Sequence, residues 1–119
     1  ESLRRSKDLG VEAVELHTGE YANARGDTEH KRELERVRTA TETAHGLGLS
    51  VHAGHGLTYA NVTPVAALPL IEEMNIGHSI VARALIVGLS GAVQEMRRLV
   101  LEAPSRVREP GRWIPPIGY

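Results

Sequence analysis

The stretch SVHAGHGLTYANVTP, residues 50–64, places His52 and His55 three positions apart, with Gly54 and Gly56 on either side of His55. An imidazole gives and takes protons near neutral pH. Flanking glycines clear room for a ligand against the backbone and add nothing to a regular element. His55 is therefore the candidate for proton transfer; the plainer alternative is a loop histidine bonded to a nearby carbonyl. Glu15, in VELHTG, is a carboxylate within a short apolar stretch. Taken out of water unpaired it would be costly, so it requires a partner or a task, the plainer alternative being a salt bridge. Gly77-His78 runs into the apolar segment SIVARALIV. Backbone N–H groups at the start of a helix form an anion site, most often for phosphate. Gly77 lets oxygens approach and His78 supplies one further donor, while Ser79 could equally serve as a helix cap.

His17, His52, His55, His78 and Glu15 are also the ligand types that zinc or iron selects. His52 and His55 straddle a strand end and a loop, however, so their spacing does not put them on one helix face, and no metal site is assigned. His52, opposite in direction to Ala53, reads as packing between strand and helix. His30 and His45 read as solvated residues of a charged helix.

The elements that must carry these residues alternate. ESLRRSKDLG reads as the last turns of a helix closed by Gly10. VEAVELH is short and β-branched and predicts a strand ending near His17. EYANARG reads as a polar loop, after which Asp27 or Thr28 would cap a helix with Glu29 in its first turn. Leu34, Val37, Thr41 and Ala44 recur at helical spacing and give that helix one narrow apolar stripe, ending at Gly46 or Gly48. LSVHAG predicts a second strand. NVTPVAALPLIEEM predicts a short helix with Pro64 in its first turn and Pro69 distorting or dividing it. NIGHS marks a third strand end. The segment from Ile80 to Ala103 predicts one or two helices broken near Gly88 to Gly91, with Ala92, Met96, Leu99 and Val100 facing inward.

Strand and helix in strict alternation imply βαβ units and a parallel sheet. Chemistry in such sheets gathers at the carboxyl ends of the strands, where the loops converge. All three strand ends carry histidine and glycine: ELHTG, HAGHG and IGH. That coincidence is the main argument from residues alone for a catalytic or ligand-binding face.

The bulk composition narrows the field. The chain has 119 residues, of which 41% are hydrophobic and 24% charged, a globular balance that fits one domain or part of a larger one. A net charge of -1 argues against nucleic acid as the main partner. The absence of cysteine excludes a disulfide scaffold and thiolate chemistry, and the composition suits the cytoplasm. No apolar run approaches the ~18 residues needed to cross a bilayer, and no basic stretch followed by an apolar one opens the sequence, so a signal peptide is not expected. The first residue is Glu1, and the chain reads as a fragment that begins in mid-architecture.

VELHTGEYANA, LGLSVHAGHGLTYANV and EEMNIGHSIVARALIVGL, in that order and spacing, resemble the C-terminal half of the pyridoxine 5'-phosphate synthase family from about Gly10 to Ala103. The resemblance implies an α/β fold, namely about three βα units (residues 1–103) from the C-terminal portion of a (β/α)8 TIM barrel. The proline-rich stretch 104–119 has no counterpart and is expected to be an irregular tail. It also implies a vitamin B6 activity: condensation of 3-amino-2-oxopropyl phosphate with 1-deoxy-D-xylulose 5-phosphate, releasing phosphate and water. No metal or organic cofactor is implied. The partners implied are small phosphorylated substrates and further copies of the chain in a homo-oligomer, with neither nucleic acid nor membrane. Carried over by position, His55 matches the proton donor and Glu15 the carboxylate that stabilises charge in the transition state. Gly56 matches a substrate contact, and Gly77 and His78 match the pair holding the aminoacetone phosphate. His52 departs from the family's usual asparagine. The family's general-base histidine, a further glutamate and phosphate-binding arginines belong to earlier strands, so these residues alone are expected to be inactive.

Two other readings are set beside this one. The chain could be a truncated remnant serving assembly, with the apolar stripe of the last helix and Trp113 making its contacts. It could instead belong to a different phosphate-binding barrel. Such enzymes rely on a metal or a Schiff-base lysine, and Lys7 and Lys31 sit at no strand end.

Overall fold

A computed structural model of the chain describes residues 1–106. A short helix, α1 (Ser2–Asp8), leads into strand β1 (Ala13–His17), the single-turn helix α2 (Gly19–Asn23) and the long helix α3 (Gly26–Gly46). Strand β2 (Ser50–Gly54) is followed by α4 (Val62–Ala66), strand β3 (Glu73–Asn75), α5 (His78–Val87) and α6 (Leu89–Arg106). The three strands form one parallel sheet in chain order, with Glu15 opposite His52 and His52 opposite Glu73.

Alternation along the strands sorts the side chains onto two unlike faces. Val14, Leu16, Val51, Ala53 and Met74 turn toward the helices and join the two apolar clusters. Ala13, Glu15 and His17 of β1, Ser50, His52 and Gly54 of β2, and Glu73 and Asn75 of β3 share the opposite face. Every apolar contact of the sheet with helices is thus on one side, and the other side is polar.

Helix α3 packs its expected stripe against β1 and β2, and Leu34, Val37, Thr41 and Ala44 are all buried. Thr41 tolerates burial because its hydroxyl donates to the Val37 carbonyl at 2.7 Å. The helix begins at Gly26 without a side-chain cap from Asp27 or Thr28. The Glu29 carboxylate instead accepts the Arg25 N–H at 3.0 Å, reaching back from the first turn. Buried Glu33 is held by Arg36, at 2.8 Å, and Arg36 also pairs with Glu20. The Glu20 hydrogen bond, with the nearby Glu33 charge, keeps the Arg36 guanidinium above its ordinary range.

The expected loop EYANARG is not a loop throughout. Gly19–Asn23 closes one helical turn, which sinks the Tyr21 ring into the main core. The Tyr21 hydroxyl donates to the Asn61 carbonyl at 2.6 Å, and burial raises the phenol well above its usual value. The ring also lies 4.4 Å from His30, which is half-buried and not the solvated residue expected. His45 is exposed as expected.

Pro64 falls within the first turn of α4, and Pro69 lies beyond its end at Ala66, so it neither kinks nor divides the helix. Gly88, with φ +82°, separates α5 from α6. Ala92, Met96 and Leu99 of α6 are buried, and α6 packs against α4 and α5. This stripe is consumed inside the fold, which removes it as the contact surface of an assembly remnant. Helix α6 continues past Ala103 and includes Pro104, so the first residues of the expected tail are helical. The rest of that tail, with Trp113, lies outside the described residues. Helix α5 keeps Val81, Leu85 and Ile86 exposed, Leu85 at 88%. No helix among the described residues is long and apolar enough to cross a membrane.

Candidate active site

The carboxyl ends of β1, β2 and β3 meet a depression of about 560 Å³ whose lining includes Glu15, His55, Gly56, Asn75, Gly77 and His78. All five residues singled out in the sequence, drawn from three strand ends, therefore open onto one space.

His55 is the first residue after β2 and has φ +87°, a left-handed conformation uncommon outside glycine. Its surroundings hold it there. Thr18, fully buried at the end of β1, brings its hydroxyl to 2.8 Å from the Gly54 carbonyl and 2.7 Å from the His55 carbonyl, and its N–H donates to Gly54 at 2.8 Å. The His55 ring stacks on His17, with centroids 4.3 Å apart and planes 25° from parallel. His17 accepts the Gly19 N–H on Nδ1 at 3.3 Å. A side chain at position 19 would strike that ring, since its Cβ would lie 2.5 Å from His17 Cε1. Gly56, φ +76°, carries the reversal forward; a Cβ there would meet Ala22 at 2.6 Å. Asn61 closes the loop: its side-chain oxygen accepts the Thr58 N–H at 2.7 Å and its amide donates to the Gly56 carbonyl at 3.1 Å. Tyr59 anchors the same loop to α6 through the Ala92 carbonyl at 2.7 Å. An exposed imidazole on a backbone so fixed is suited to proton transfer.

Glu15 is exposed at the depression, contrary to the expectation of a carboxylate taken out of water, and its partner is Asn75, whose amide donates to it at 2.8 Å. Gly77 is the N-cap of α5 and His78 its first residue, both exposed, and no side chain caps the helix. Ser79, offered as a cap, donates instead to the Leu57 carbonyl at 2.8 Å. The first residues of α5 thus line the depression, and their amides have no intrahelical acceptor.

His52 does not pack between strand and helix as expected. It lies on the polar face nearer the start of β2, 3.4 Å from the Ser50 hydroxyl and 3.9 Å from the Glu73 carboxylate. The reason is the strand's period of two: Val51 and Ala53 take the helix side and turn His52 away from it. Among the described residues, no three His, Asp or Glu side chains converge as a metal-ligating group.

Sequence reasoning missed the roles of Thr18, Asn61 and Asn75, and counted His17 as a strand-end histidine and a metal-ligand type without foreseeing its stack on His55. Thr18 carries no signal in isolation, because its partners lie 36 and 37 residues away, whereas Asn61 holds Thr58 and Gly56 within its own loop and was open to recognition as a turn residue. Asn75 stands in the NIGH segment two residues before Gly77, so its strand-end position was the available clue.

A parallel βα arrangement with histidine, carboxylate and helix N-terminus at one rim defines an α/β protein with a candidate phosphate-handling site. The family described as Pyridoxal phosphate biosynthesis protein PdxJ matches residues 1–102, and the chain belongs to that family. Pyridoxine 5'-phosphate synthase of Trichlorobacter lovleyi is 51% identical over 100 residues, covering 84% of this chain and 42% of that protein. The synthase of Coxiella burnetii is 50% identical over 98 residues, 82% of this chain and 41% of the relative. That of Magnetococcus marinus is 50% identical over 103 residues, 87% and 42% respectively. The chain spans about 42% of the length of these relatives and matches their C-terminal part.

Proposed function

We propose that the chain is the C-terminal portion of a pyridoxine 5'-phosphate synthase, condensing 3-amino-2-oxopropyl phosphate with 1-deoxy-D-xylulose 5-phosphate by acid–base catalysis. The observation that carries the reading is the convergence of Glu15, His55, Gly56, Gly77 and His78 on one depression in a chain of this family.

Each group takes a role its position suits. The Gly77 and His78 amides at the start of α5 hold the phosphate of the amino ketone, and Gly56 lets the substrate lie against the backbone. His55 delivers protons to departing oxygen during the dehydrations, and Glu15 offsets positive charge as it develops on the amine nitrogen. A Schiff-base barrel fits less well, since neither Lys7 nor Lys31 lines this depression.

In this reading the three strands are an arc of a (β/α)8 barrel, whose polar face becomes the lumen and whose helices stay outside. Helices on a single face of the sheet support the arc. So do the outer edges of β1 and β3, unpaired among the described residues, and the exposed Val81, Leu85 and Ile86 of α5, which further βα units would cover. Cytoplasmic residence and homo-oligomeric assembly belong to the same reading.

The test is a chimera in which this chain takes the place of the C-terminal part of the Trichlorobacter lovleyi synthase. The chimera is expected to form pyridoxine 5'-phosphate from the two substrates, while the 119-residue chain alone forms none. A chimera that folds and forms no product would refute the assignment. Turnover by the isolated chain would refute the need for the complementary strands.

A further inference from the structure

We propose that Asn75 is a positioning residue that holds the Glu15 carboxylate over the rim of the site, and that Gly54 is the gap through which it does so. The proposal rests on the synthase reading above. Glu15 and Asn75 belong to the two outer strands, with β2 between them. Strands lie about 4.8 Å apart, so the two backbones are separated by roughly twice that distance. Their side chains nevertheless meet, Asn75 Nδ2 donating to Glu15 Oε2 at 2.8 Å.

The middle strand makes this contact possible by offering no side chain. Gly54 pairs in register with Asn75, two residues beyond the residue that pairs with Glu15. The Glu15 side chain therefore leans along the sheet toward the carboxyl ends and lies over Gly54. A Cβ at position 54 would stand 2.7 Å from Glu15 Oε1, 2.9 Å from the Asn75 carbonyl oxygen and 3.1 Å from Asn75 Cβ. The carboxylate could swing away from such a group, but the Asn75 backbone could not. Gly54 is not among the positive-φ residues, so its requirement is space.

The consequence is directional. One oxygen of Glu15 is engaged by Asn75, and both residues line the depression together with His55, Gly77 and His78. An amide N–H donated to a carboxylate is a charge-assisted bond, stronger than a neutral one, and it restricts the rotamers of a long side chain that is otherwise exposed. Asn75 thus acts through Glu15 and needs no contact with substrate.

The experiment is a double-mutant cycle in the chimera with Asn75→Ala, Glu15→Gln and the pair together, and with Asn75→Asp as the isosteric control. Asn75→Ala is expected to lower kcat about tenfold, the worth of one hydrogen bond to a charged group. The KM values should change by less than about twofold, because phosphate is bound elsewhere. Asn75→Asp keeps the shape but removes the donor and adds a like charge, so it should lose at least as much. In the Glu15→Gln background the Asn75→Ala change is expected to cost less than about twofold more, since the residue it positions has already been altered. Full additivity, or an Asn75→Asp variant with unchanged kcat, would overturn the positioning role while leaving the synthase reading intact. Failure of the unmutated chimera to form product would overturn both.

Discussion

Asparagine in place of His55 is expected to lower kcat of the chimera by about 10²- to 10⁴-fold, the range contributed by one positioned proton-transfer group. The choice of asparagine follows from the backbone. At φ +87° an alanine would carry a conformational penalty of its own, whereas asparagine is among the residues that occupy this region readily. The Thr18 clamp on the Gly54 and His55 carbonyls uses main-chain oxygens and survives the exchange. What the variant removes is the imidazole and its stack on His17. The loss should therefore appear in turnover with little change in thermal midpoint, and steady-state kinetics beside a melting curve separates the two. A decrease of less than about tenfold would deny His55 the role of proton donor.

Leu99→Ala is expected to have the largest effect on stability, about 2–5 kcal/mol, read as a lowered urea midpoint of the chimera. Leu99 is fully buried on α6 in the cluster that also holds Val62, Val65 and Met96. With no phenylalanine in the chain, that core rests on aliphatic side chains with two buried tyrosines, and a cavity there has few large neighbours to collapse into it. The α4–α6 contact also sets where the loop after His55 lies, since Tyr59 of that loop bonds the Ala92 carbonyl of α6. Loss of packing at Leu99 should therefore be felt at the site rim as well. A change below about 1 kcal/mol would mean that α6 is not integral to the fold.

Much of this organisation was legible in the residues because it is local and periodic. The stripe Leu34, Val37, Thr41 and Ala44 is a helical repeat, Gly10, Gly46 and Gly88 mark helix ends, and the three strand ends announce themselves by histidine beside glycine. What escaped was set by partners distant in the chain. The single turn Gly19–Asn23 forms where Tyr21 finds a buried place and the Asn61 carbonyl, 40 residues on. Glu15 reads as a carboxylate that requires a partner or a task, and only the pairing of β1 with β2 and β2 with β3 reveals that partner as Asn75, 60 residues away. Ser79 has the chemistry of a cap, but α5 already begins at His78, so Ser79 stands inside the helix and its hydroxyl donates to the Leu57 carbonyl. His52 does point opposite to Ala53, as its strand position dictates, but that face carries no helix, because Val51 and Ala53 already claim the helix side. The convergence of the site itself was an inference from fold class, since no spacing in a linear chain brings Glu15, His55 and His78 to one depression.

The most direct measurement is a crystal structure of the chimera soaked with 3-amino-2-oxopropyl phosphate. The synthase assignment requires the phosphate on the Gly77 and His78 amides at the start of α5, with the amine end toward Glu15 and the His55 ring within hydrogen-bond reach of the substrate. Phosphate bound at another helix start, with the depression between these groups left to solvent, would contradict it.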